Sequence, residues 1–277
     1  MVGNVDTETV RSFGDLWNRF TMESVTPNER AEIFERHFGI FPWQLLPKGG
    51  GCGVDVGCGT GRWGKMVAPR VNKLHLVDPA GPALAVCRNN LRLLKNVEFH
   101  QADVADMPFP DGSLDFAYSI GVLHHIPDTA AGITSIANKL KPGAPFLVYL
   151  YYAFDNRPAW YRMLWRTTDT LRRRLARLPL SLRNPVAEII AATVYWPLAR
   201  TAWLLDMVGL MSANWPLNYY RNKSFYFMRH AARDRFGTPL EQRFTRLQIT
   251  QMLEDAGFKD VHFAPGPPYW VAMAIKA

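Results

Sequence analysis

The run Val54-Asp55-Val56-Gly57-Cys58-Gly59-Thr60-Gly61 passes from a short strand pattern into alternating glycines. A mixed segment, Arg62 to Val67, follows and can open a helix. Strand, tight turn and helix start in that order are the signature of a nucleotide-binding α/β unit. Glycine suits such a turn because a Cβ would hold the backbone away from a ligand and oppose positive φ.

Two ligands compete for the turn. Gly59-Thr60-Gly61-Arg62-Trp63-Gly64 matches G-x-G-x-x-G, the pattern that seats a dinucleotide pyrophosphate on a helix N-terminus. Asp55, two positions before Gly57, points the other way. A carboxylate there repels a diphosphate and attracts S-adenosylmethionine, which lacks phosphate and carries an ammonium and a sulfonium. Charge therefore favours S-adenosylmethionine, while the glycines alone leave a nicotinamide dinucleotide and an NAD-dependent oxidoreductase as the alternative.

Further signals follow in order. Leu74-His75-Leu76-Val77-Asp78 reads as a second strand ending in an acid about 20 residues past the glycines, where ribose hydroxyls are gripped. Gln101-Ala102-Asp103-Val104 follows a third strand, Leu114 to Ile120 reads as a fourth with Gly121-Val122-Leu123-His124-His125-Ile126 after it, and Leu140-Lys141-Pro142-Gly143 turns into a fifth. With these motifs the chain resembles the class I S-adenosylmethionine-dependent methyltransferases, specifically the small-molecule branch called methyltransferase type 11, over Gly51–Tyr151 and again from Arg243. The resemblance implies a cofactor turn shaped by Gly57, Cys58, Gly59 and Gly61, with Asp55 anchoring the amino-acid end and Asp78 and Pro79 at the ribose. It implies that Asp103 and Val104 clamp the adenine, that Ser119 and Ile120 finish the pocket, and that the reaction moves a methyl group to O or N of a small metabolite. His124 is the candidate for orienting or deprotonating the acceptor, with His125, Tyr149, Tyr151 and Tyr152 as further substrate contacts. A non-catalytic S-adenosylmethionine-binding protein stays open beside the enzyme.

The alternation of β-rich runs with helical stretches from Gly51 to Tyr151 predicts an α/β fold with a parallel sheet wound on both faces. The resemblance extends this to a Rossmann-like, doubly wound, seven-stranded sheet whose last strand is antiparallel, with N-terminal helices and a helical insertion between strands five and six. Strands are expected at 52–56, 73–78, 97–101, 114–120 and 144–151, and helices at 62–69, 81–94, 129–139 and 246–256; the resemblance implies two further strands at 259–264 and 268–276. Residues 1–50 form an N-terminal helical cap, with Phe13, Leu16, Trp17 and Phe20 at helical spacing and Thr26-Pro27 opening a second helix. Residues 51–154 with 243–277 form the cofactor-binding core, and 155–242 the insertion, which is expected to set substrate choice.

At 277 residues and 48% hydrophobic the chain can bury a large core. Met1 to Thr9 lack the basic-then-apolar order of a secretion signal. Cys52, Cys58 and Cys87 are odd in number and lack C-x-x-C spacing, so neither a disulfide framework nor a metal is expected and the location is read as cytoplasmic.

The net charge of +8 is concentrated in the insertion, where eight arginines from Arg157 to Arg183 face only Asp169. Three readings fit that charge: a solvated helix face, an attractor for an anionic small-molecule acceptor, or a surface resting on the inner face of an anionic membrane, where a lipid-linked acceptor would be found. The apolar run from Pro185 to Leu210 is interrupted by Glu188, Arg200 and Asp206, so peripheral rather than spanning behaviour is expected. Nucleic acid is disfavoured, because the place after strand four holds Ser119-Ile120-Gly121-Val122 instead of the Asn/Asp-Pro-Pro-aromatic element of base methylation.

Overall fold

A computed structural model describes residues 3–19, 26–212 and 214–277. Phe20, placed on the first apolar stripe by its spacing, lies outside them. Two compact units emerge. One gathers the described residues up to Arg19 with Arg30–Ala153 and Leu240–Ala277, and the other is built mainly from Phe154–Pro239.

The first unit is a seven-stranded sheet. Its strands are β1 (Cys52–Val56), β2 (Lys73–Val77), β3 (Val97–His100), β4 (Phe116–Ile120), β5 (Pro145–Tyr149), β6 (Phe258–Phe263) and β7 (Val271–Lys276), in the order β3-β2-β1-β4-β5-β7-β6. The first five run parallel, and β7 alone is reversed, antiparallel to both β5 and β6. This is the doubly wound architecture that the sequence predicts, and its strand order reverses beside β1, where such sheets bind ligands.

Alternation along β1 explains the two layers. Val54 and Val56 face a core shared with Phe146, Val148, Ile133 and Ile136 of α5 (Thr129–Lys139) and Ile249 of α10 (Arg246–Asp255). Gly53 and Asp55 face the other side, where Phe116 fills the space a Cβ at Gly53 would need. On that side Phe38 of α2 (Pro27–Phe38) meets the Tyr118 ring edge-on at 5.1 Å, and Phe41 meets Phe116 at 6.0 Å.

Helix ends differ from expectation where glycine or proline intervenes. The helix expected over 62–69 is only α3, Gly64–Val67, because Gly61 at φ +75° delays its start and Pro69 tightens its end into a 3-10 turn. The next, α4, spans Gly81–Asn90 and stops short of the expected residue 94. The last one is capped as its sequence demands: Thr245 and Gln248 form a reciprocal capping box, and Gly257 turns left-handed beyond the end.

The second unit is all-helical: α6 (Ala159–Leu175), α7 (Leu180–Ile190), a π segment Ala191–Tyr195, α8 (Trp196–Met207) and α9 (Phe225–Gly237). Ala191, Tyr195 and Ala199 pack on Met228, Ala232 and Phe236, and Glu188 bridges Arg229 and Arg233. The eight arginines do not act as one basic face. Arg172 is buried, bonding Asp169 at 2.7 Å and the Thr238 carbonyl, and Arg183 is buried on the Ala176 carbonyl. Arg157 donates to Asn214, and Arg173 pairs with Asp169 while staying exposed, as are Arg162, Arg166, Arg174 and Arg177 on this unit's surface.

Gly57 is the tightest point of the β1 turn: at φ +79° a Cβ would stand 2.4 Å from the Val122 methyls. Gly143 has a similar φ of +81° and open space around it. Gly57→Ala is expected to lose roughly 3 kcal/mol in denaturant unfolding, strain and overpacking combined, against about 1 kcal/mol for Gly143→Ala. Equal losses would show that the contact with Val122 relaxes freely.

Candidate functional site

The glycine turn closes on the second strand. The N–H groups of Gly57 and Cys58 both donate to the Val77 carbonyl, at 2.8 and 3.0 Å. One residue further, Asp78 returns the contact: its carboxylate accepts from Gly59 N–H at 2.9 Å and from Ala80 N–H at 2.8 Å. Burial pushes the Asp78 carboxyl up to about 6, against the pull of those two amides. Gly59, at φ +53°, is also tight, since a Cβ there would lie 3.1 Å from Trp17 Nε1 of α1 (Thr7–Arg19).

Asp55 is the most unusual group. It is 1% exposed, and neither carboxylate oxygen has a hydrogen-bond partner. Burial pushes the carboxyl up to about 8; the Tyr118 hydroxyl pulls it back, Asp78 raises it and Arg62 lowers it. Tyr118 is the register partner of Asp55 across β1 and β4, near enough for that influence without completing a hydrogen bond of ordinary geometry. A fixed negative charge was the sequence expectation here; in the fold this acid holds its proton at neutral pH.

The remaining cofactor candidates spread along the same carboxyl edge. Asp103 stands beyond β3 with Oδ1 accepting from Ala105 N–H at 2.6 Å, and its Oδ2 lies 2.5 Å from where a Cβ on Gly3 would be. The Val104 side chain is buried in the core. Ser119 is fully buried and its hydroxyl donates to the Val56 carbonyl. The buried Cys58 thiol is pushed well above its ordinary range by burial and by its neighbour Cys87. Pro79 is half-buried, and its carbonyl accepts from Gln101. Ile120 is buried at the end of β4.

His124 and His125 sit on the 3-10 turn Leu123–His125, just past β4. The His124 ring stacks on Tyr151 at 3.8 Å, and its Nδ1 accepts from the Tyr151 N–H at 3.4 Å. That contact places the ring hydrogen on Nε2, which is buried and has no partner. Burial, and then the charges of His125 and Arg243, lower its pKa well below the ordinary value. The ring is therefore neutral with a donor to offer, a poorer proton acceptor than its sequence position suggests. His125 Nδ1 donates to the Leu240 carbonyl at 2.7 Å.

Four contributors escape sequence reading. Segment 240–244 braces the histidine turn: besides Leu240, Gln242 N–H donates to the His124 carbonyl and Gln242 Nε2 to that of Ile126. Arg243 pairs with Glu241 at 2.7 Å and lies 5.0 Å over the Tyr151 ring. His37 of α2 packs against Tyr149 at 5.2 Å and Trp63 at 4.9 Å, held by the Ile33 carbonyl. Tyr118 is the fourth. Only chain closure over more than a hundred residues joins 240–244 to the turn, so no local signal marks it. Tyr152 packs against Tyr269 and Trp270.

Residues 54–143 match the methyltransferase domain family. Over that stretch, about a third of its length, the chain is similar to methyltransferase domains. Among similar proteins, O-methyltransferase cnsE of Penicillium expansum is 27% identical over 53% of this chain and 56% of its own length. O-methyltransferase rstn1 of Aspergillus nomiae is 31% identical over 45% of this chain and 53% of its own. The chain thus spans about half the length of these relatives. In fold it resembles the Burkholderia thailandensis 1,6-didemethyltoxoflavin-N1-methyltransferase, at 16% identity and TM-score 0.52 over 98% of this chain and 86% of that one. The matched stretch takes in Asp55, Asp78 and the histidine turn.

In this stretch Asp78 ties β2 to the glycine turn through both oxygens. Asp78→Asn puts an amide donor against one of two N–H donors, and about 1–3 kcal/mol of stability is expected to be lost at pH 7. Thermal unfolding reads this as a lower Tm, and an unchanged Tm would show that the tie carries no load.

Proposed function

We propose that the protein is an S-adenosylmethionine-dependent methyltransferase acting on O or N of a small molecule. The observation that carries the reading is Asp55, a buried carboxyl with both oxygens lacking partners beside a glycine turn that a Cβ would block. An unsatisfied buried carboxyl of this kind suits a cationic ligand group that brings its own donors. Asp55 would hold the amino-acid end of the cofactor, Asp78 the ribose, and Asp103 with the Val104 backbone the adenine. Gly57, Gly59 and Gly61 keep the backbone bare for it, with Cys58, Pro79, Ser119 and Ile120 completing the pocket.

Bound S-adenosylmethionine supplies a methyl group already activated on a sulfonium. The chain's own part is then to place an acceptor and exclude water, and a strong base is not demanded. His124, neutral with its hydrogen on Nε2, orients an acceptor oxygen or nitrogen by donating to it. Tyr149, Tyr151 and His125 wall that position, and acceptor choice falls to the helical unit.

Calorimetry with S-adenosylhomocysteine tests the reading. Because the free Asp55 carboxyl titrates at about 8, a ligand that prefers its ionised form must displace a proton. Affinity is expected to rise between pH 6.5 and 8, by at most about tenfold per unit, and to level off above. Asp55→Asn flattens that slope and weakens binding at pH 8. Uptake of NAD(H) with no response to S-adenosylhomocysteine would overturn the assignment in favour of an oxidoreductase.

A second reading concerns the helical unit, which we infer rests on an anionic lipid surface. Among the described residues, the exposed large apolar side chains outside Trp160–Phe225 are only Leu45, Leu93 and Leu247. Trp160 and Met163 share α6 with the exposed Arg162 and Arg166, and Trp196 and Trp203 stand out from α8. A second copy would bring like charges together, whereas an anionic bilayer complements arginine and accepts tryptophan at its interface. No described helix is long and apolar enough to cross a membrane. Sedimentation with phosphatidylserine-containing vesicles is expected to capture the protein, pure phosphatidylcholine vesicles to leave it in solution, and added salt to release it. Replacing Arg162 and Arg166 by Gln should weaken capture about fivefold per residue. Equal capture by both lipids, or none, would remove this reading.

A further inference from the structure

The outer edge of the sheet carries a side-chain cluster that methyl transfer does not use. His75 of β2 and Glu98 of β3 are register partners, and His100 follows two residues on, across from Val77. Strand alternation turns all three to one face. His75 Nδ1 and His100 Nε2 stand 3.0 Å apart, His75 Nδ1 lies 3.5 Å from Glu98 Oε2, and one ligand atom from each residue falls within 4.8 Å of the others.

We propose that His75, Glu98 and His100 form a binding site for a divalent transition-metal ion of the zinc class. Ligand distances of about 2.0–2.2 Å give coordination polyhedra with edges of roughly 2.9–3.5 Å, from octahedral to tetrahedral. The two observed separations, 3.0 and 3.5 Å, span that interval. Two imidazoles and one carboxylate are a donor set such ions accept, with solvent filling the open positions. The site is braced and reachable. Phe109 packs on both rings at 4.7 and 5.1 Å, fixing their planes, while the Glu98 side chain is 48% exposed on the sheet's edge strand. Lys73 holds Glu98 Oε2 at 2.6 Å and competes with the ion for it. Sequence spacing gives no warning of such a site, since its members come from two strands and form no short motif.

Chelator-treated full-length protein titrated with zinc(II) tests the proposal by calorimetry, and cobalt(II) absorption reports the ligand field. A single equivalent is expected to bind, with visible cobalt bands. His100→Ala should weaken it roughly tenfold or more. Glu98→Gln, an exposed and conservative change, should weaken it without disturbing the fold. Lys73→Ala should tighten binding several-fold, which a purely structural ion pair would not do. Absence of binding at millimolar zinc, or equal affinity in the wild type and the His75→Asn/His100→Ala double variant, would overturn it. None of these measurements depends on methyl transfer, so the two readings stand or fall separately.

Discussion

Two amides converging on one carbonyl hold the carboxyl edge of this sheet together. Gly57 and Cys58 can both reach the Val77 oxygen only if the chain reverses within two residues of β1, and that reversal needs positive φ with no side chain in the way. Everything nearby follows from it. The turn aims Gly59 at the Asp78 carboxylate, leaves Asp55 under the bend, and lets Val122 close on the bare Cα of Gly57.

The chemistry of the edge is set by dehydration more than by formal charge. Asp55 and Asp78 are both raised by burial, yet they differ in what they are given in return. Two backbone amides compensate Asp78, whereas Asp55 has none and keeps its proton to a higher pH. One acid thus belongs to the scaffold even before a ligand arrives, and the other is left with unmet hydrogen-bonding capacity. His124 follows the same rule on the basic side, since burial beside His125 and Arg243 leaves it neutral.

The helical unit shows the same economy with arginine. Charge counted along the chain suggests one basic surface, but Arg172 and Arg183 are spent inside, tying helices to carbonyls and to Asp169. Five arginines are left exposed, sharing the surface with tryptophan and methionine. Formal charge is a property of the sequence; which charges reach solvent is decided by packing.

The first five strands were legible because short β-rich runs, glycine at the turn and the acid after β2 are local signals with local causes. Thr245, Gln248 and Gly257 likewise announce a helix with both of its ends. Helix lengths after Gly61 and near Asn90 were not legible to the residue, since tightening at Pro69 and fraying depend on neighbours. By itself the sequence determined a doubly wound parallel sheet and put Asp55, Asp78, Asp103 and Ser119 at strand ends, and the family resemblance added the reversed strand. Only the tertiary structure decided that Asp55 is protonated, that segment 240–244 braces the histidines, and that His75, Glu98 and His100 meet. Protonation depends on how much water is excluded, and contacts between distant segments depend on how the whole chain closes, and neither quantity is written in any short stretch of residues.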